Sequence, residues 1–168
     1  MQILRSMFAV FAGLVLISVI VEPLEFGLVA LVSGEVTTDP DSYFRARNAP
    51  AFLATKVVYN TAAAIVGGLV AARLARRAPR AHGLVLAVIQ TVAFGWALVT
   101  PALRRSTPDW MWACLIVVTF AGIMTGSLLQ RHRTLAKRPL QPTAAQVHRD
   151  SVAASKRRSR LSGRTFDV

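Results

Sequence analysis

Five polar residues sit where an apolar chain can least tolerate them: Glu22, Glu25, Lys56, Tyr59 and Asn60. Glu22 and Glu25 interrupt the first long apolar stretch, with Pro23 between them. An ionised side chain at the centre of a membrane helix costs about 2.5–3.5 kcal/mol on insertion scales, so it is kept for a partner or a wet cavity. Three residues apart on a helix, the two acids share a face, and two like charges there disfavour joint ionisation. Pro23 has no N–H, so the carbonyl four residues back, at Val19, loses its helical partner. Acid, kink and free carbonyl together would suit a cation or proton site. The simpler alternative is structural: a paired acid and a bent helix.

The elements that must position these residues are four apolar spans. The chain has 168 residues, 54% of them hydrophobic. Residues 7–32 form the first span, about 39 Å long as a helix and thus long enough to cross a bilayer with tilt. It is too long for the apolar core of a cleaved signal, and is read as retained. Residues 33–50 form a polar loop, in which Asp39-Pro40 predicts a helix start and a short surface helix through Tyr43 and Phe44. The second span covers residues 51–75, the third 83–103, and the fourth 110–129. The third and fourth carry no charge. Gln90 and Thr91 lie within the third, and Trp110 and Trp112 at the mouth of the fourth fit an interfacial belt. The predicted fold is all-α: an up-down four-helix transmembrane bundle over residues 1–130, then a basic, largely disordered tail over 131–168.

Small residues mark the predicted packing faces. Ala63, Gly67 and Ala71 recur every four residues, as do Ala64, Gly68 and Ala72. Small residues at that spacing let helices approach closely in lipid, within the bundle or between copies. Gly122 and Gly126 add a GxxxG pair, weak as a dimer signal.

Antiparallel first and second spans bring their outer halves level. Glu25 lies about 10 Å from the outer end of the first span and Lys56 about 8 Å into the second. Glu22 and Asn60 lie at about 15 and 14 Å. The expected pairs are therefore Glu25 with Lys56, and Glu22 with Asn60 or Tyr59.

Charge sets the orientation. Of 20 Lys and Arg residues, ten follow Gln130; Arg5, Arg73, Arg76, Arg77 and Arg80 fall on the same side of an even-span bundle. Arg45, Arg47, Lys56, Arg104 and Arg105 fall on the other. Basic loops stay in the cytoplasm, so both termini of this multi-pass protein are expected there. The cluster Lys156, Arg157, Arg158 and Arg160 suits anionic headgroups, with an acidic protein partner as the alternative. Nucleic acid is disfavoured, because Phe166 is the only aromatic residue after Gln130.

Other chemistry finds no foothold. One cysteine, Cys114, allows no intramolecular disulfide and no cysteine metal cluster. His82, His132 and His148 lack the spacing of a metal or haem set. No phosphate-binding loop or hydrolase triad is present, and no cofactor is expected.

The Val21-Glu22 step, together with Gly67-Gly68-Leu69-Val70-Ala71-Ala72-Arg73-Leu74-Ala75 and His82-Gly83, resembles small uncharacterised bacterial membrane proteins with four spans. The likeness covers about residues 1–130 and implies the fold but no activity. The expected function is non-enzymatic: an accessory or interaction subunit, with a larger membrane complex as an expected partner, in the bacterial inner membrane that the resemblance implies. The alternative is a small transporter or proton-coupled carrier using Glu22.

Overall fold

The computed structural model describes residues 2–34, 39–75, 78–104 and 106–136. Among them the regular structure is all helical: α1 (Gln2–Ser33), α2 (Pro40–Arg47), α3 (Pro50–Ala75), α4 (Pro79–Val99), α5 (Pro101–Arg104) and α6 (Asp109–Ala136). Four of these, α1, α3, α4 and α6, are long and apolar enough to cross a membrane. They form an up-down four-helix bundle within one compact unit, Met1–Arg133.

Helix α3 is the hub, and its two small-residue ladders explain why. The Gly67–Ala71 ladder lies against α1, where Gly67 meets Ile17 and the Gly13 backbone. The Ala64–Gly68 ladder lies against α6, where Gly68 meets the Ile123 backbone and Gly122 meets Ala64. A helix with small residues on adjacent faces can hold two neighbours at backbone contact. The GxxxG pair of α6 is thus used inside the bundle: Gly126 packs on the backbone of Ile65 and Leu69. Helix α4 closes the remaining side, with Gly83 against Ser127 and Leu86 against Gly13. One core cluster gathers Ile17, Ala63, Ala64, Leu86 and Ile123; a second, nearer the α2 end, gathers Leu53, Ala97, Met111, Trp112 and Leu115.

Several hydroxyls are satisfied locally, whereas Thr91 Oγ1 and Thr107 Oγ1 are buried without a partner among the described residues. Thr55, Thr61 and Thr119 donate to the carbonyls of Ala51, Val57 and Leu115, each four residues back. In hydrocarbon the carbonyl four residues back is a partner within a lone hydroxyl's reach.

Helix boundaries differ from the sequence reading where proline acts. The third span begins at Pro79, not Gly83, because proline suits a first helical turn. It ends at Val99, not Leu103. Thr100 precedes Pro101 and is extended (φ −87°, ψ 113°), the conformation favoured before proline. In contrast, α1 runs unbroken through Pro23. Trp110 is exposed, as expected for a belt residue, but Trp112 is buried 6.0 Å from the Phe94 ring. Two residues apart on a helix point about 200° apart, so both cannot face lipid.

Candidate functional site

Helix α1 buries Ala9, Gly13, Ile17, Glu25 and Val29, a seam with four-residue spacing. Glu25 occupies a seam position that an apolar residue would otherwise fill. The antiparallel register against α3 sets Gly13 beside Ala71, Ile17 beside Gly67, and Glu25 beside Tyr59. Lys56 follows one turn further out.

Three side chains converge on the Glu25 carboxylate. Oε2 accepts a 2.6 Å hydrogen bond from the Tyr59 hydroxyl and lies 2.9 Å from Lys56 Nζ. Oε1 meets Arg47 Nε. Glu25, Lys56 and Tyr59 are 6%, 3% and 7% exposed, so water contributes little to holding these charges. The Tyr59 contact is a hydrogen bond and those to Lys56 and Arg47 are ion pairs, and burying such charges is tolerable only with such partners.

Arg47 comes from α2, and that short helix is built to deliver it. Asp39 caps its start, with Oδ2 accepting from the Ser42 N–H at 2.9 Å. That bond outweighs the opposing desolvation and holds the Asp39 carboxyl below the usual carboxylate range. Eight residues later the last turn presents Arg47, whose guanidinium lies 6.0 Å from the Phe44 ring. Tyr43 packs on Phe26 of α1, 6.5 Å between ring centres. Its burial, with the nearby Glu25 charge, pushes the Tyr43 phenol above its ordinary value, so it stays neutral. Asn48 then donates to the Ser106 carbonyl at 3.2 Å, joining the same end to the loop before α6. The cluster is therefore a lock between α1, α2 and α3.

The expected Glu25–Lys56 meeting is present. The expected meeting of Glu22 with Asn60 or Tyr59 is not. Tyr59 bonds Glu25, and the Asn60 amide donates to the Lys56 carbonyl at 2.8 Å. Glu22 is exposed, with no hydrogen bond or ion pair among the described residues, though its charge acts on Lys56 at longer range. The reason is angular: Glu22 follows Val21 in the seam by one residue, about 100° round the helix. Depth matching ignored that rotation. Pro23 is likewise exposed and about 200° from Glu25, on another face of α1.

Arg47 was not among the residues expected here. The predicted α2 fixes where along the chain its basic last turn falls, but not which helix that turn meets.

Among the described residues no group of His, Cys, Asp and Glu could hold a metal. His82 bonds the Ala78 carbonyl through Nδ1 at 3.1 Å. Lys156, Arg157, Arg158 and Arg160 lie outside the described residues, as do the side chains of His132 and His148. Comparison with family models, with curated proteins and with solved structures found no match to this chain.

Proposed function

We propose that this chain is a non-enzymatic membrane protein that works through contacts, as an accessory or interaction subunit, rather than as a carrier. The observation that supports this is the saturation of Glu25. A proton-coupled carrier needs an acid that can lose its partners and regain them within a cycle. Glu25 faces two cations and a phenol, Arg47 held by α2 and Lys56 and Tyr59 by α3. The carrier alternative then rests on Glu22 alone, exposed on the flank of α1. The likeness to small bacterial four-span proteins fits the same reading, in a bacterial inner membrane.

The test is proton flux into vesicles carrying the full chain and a pH-sensitive dye. The expected flux equals that of empty vesicles, for the native chain and for Glu22→Gln alike. A flux that Glu22→Gln abolishes would replace this reading with the carrier. Co-purification from native membranes is expected to recover a partner at fixed stoichiometry.

The basic residues place both termini in the cytoplasm in this proposal, where the cluster from Lys156 to Arg160 meets anionic headgroups or an acidic partner. A reporter fused after Val168 is expected to be cytoplasmic and one inserted near Thr38 external. The reverse pattern would overturn the orientation.

A further inference from the structure

Helix α1 is the least buried of the four spans. Phe8, Phe11, Val15, Ser18 and Glu22 follow one another along one of its faces by steps of three and four, and all five are exposed. Phe26, next on that face, meets Tyr43, so α2 bounds the face at one end. Glu22 is out of place on it. It lies about 15 Å below Val32, close to half the thickness of the hydrocarbon core of a bilayer. A side chain of three carbons reaches about one helical turn, a third of that distance, so the carboxyl cannot be lifted into the headgroups. Charged or neutral, a carboxyl against hydrocarbon lacks partners, and such a residue is kept for a neighbouring helix or a wet cavity. Glu25 meets that demand inside the bundle. Glu22 does not, having no hydrogen bond or ion pair among the described residues.

We infer, resting on the interaction-subunit reading above, that this face of α1 docks a membrane-spanning helix of another protein, one that carries a lysine or arginine at the depth of Glu22. Charge complementarity selects that partner, and Ser18, one turn away, is small enough to let a second helix approach. A second copy of this chain does not supply the cation. Among the described residues, those that reach the level of Glu25 are Lys56 and Arg47, and both are held by Glu25 of the same chain. A two-fold contact between parallel copies through this face would instead set Glu22 against Glu22.

The test places the full chain in vesicles with a synthetic membrane-spanning helix, rich in leucine and alanine and about 20 residues long. One lysine stands at its centre, where the depth is the same in either orientation. Energy transfer between labels on the two reports association. The lysine helix is expected to associate more tightly than the same helix with leucine at its centre, by about fivefold to thirtyfold, the span of a polar contact between model helices. Glu22→Gln should remove most of that preference, and so should moving the lysine seven residues, about 10 Å, off centre. Equal association of the lysine and leucine helices, or a preference that survives Glu22→Gln or ignores the position of the lysine, would overturn the docking. So would energy transfer between two labelled copies of this chain that Glu22→Gln abolishes, because the face would then belong to a second copy. Proton flux into the same vesicles that Glu22→Gln abolishes would overturn the interaction-subunit reading itself, whichever helix binds.

Discussion

Glu25→Gln is expected to destabilise the bundle by about 3–5 kcal/mol, the cost of breaking a buried ion pair from one side. The substitution keeps the shape of the side chain but leaves Lys56 at 3% exposure with no counter-charge and Arg47 beside it. The partners should matter less, in a definite order. Lys56→Met leaves Glu25 still paired with Arg47, so its cost should be smaller. Tyr59→Phe removes one hydrogen bond, worth about 0.6 kcal/mol on average between membrane helices. Glu22→Gln, at an exposed position, should fall within about 0.5 kcal/mol of the native chain. Combining Glu25→Gln with Lys56→Met should cost less than the sum of the two, because the second change removes the charge that the first one strands. Reversible unfolding of the detergent-solubilised protein measures all five. Equal costs for Glu22→Gln and Glu25→Gln would show that the cluster is not the lock described above.

The extent to which this site was legible in the sequence divides along a physical line. Depth was legible, because apolar length and the helical rise set how far each residue lies from a membrane surface. That was enough to bring Glu25 level with Lys56. Rotation about the helix axis was harder. In a soluble helix the polar face marks the outside, but here α1 is apolar nearly all round, and Val19 and Ile17 look alike although one is exposed and the other buried. The seam could be read only from its small members, Ala9 and Gly13, and extending that four-residue step reaches Glu25 and passes Glu22 by. The two ladders of α3 were legible for the same reason, since small residues are costly to use without a close neighbour. Arg47 was not, because it enters through a loop helix whose position depends on packing against Phe26.

That close packing carries the other large expected effect. Gly126→Ala would place a methyl against the Ile65 carbonyl oxygen and 2.8 Å from the Leu69 nitrogen; Gly68→Ala would place one 2.8 Å from the Ile123 Cα. These obstacles are backbone, which cannot rotate aside, so α3 and α6 must separate. Overpacking of this kind costs about 1–3 kcal/mol, and separation along the whole contact should bring both changes to the top of that range. Gly13→Ala should cost less, since one of its obstacles, the Leu86 Cδ2 at 2.8 Å, is the end of a flexible side chain. Gly27→Ala and Gly95→Ala are the controls. A methyl at either meets nothing within 4 Å, and alanine is the better helix former by about 0.5–1 kcal/mol, so both should be neutral or stabilising. The same unfolding measurement separates the groups, and a parallel measurement of oligomeric state decides what the Gly122–Gly126 pair is for. If Gly126→Ala leaves stability unchanged but dissociates an oligomer, the pair faces another copy and the α3–α6 contact is not what it serves. A loss of stability with no change in oligomeric state places it inside the bundle, where α3 holds two neighbours at once because it carries small residues on two adjacent faces.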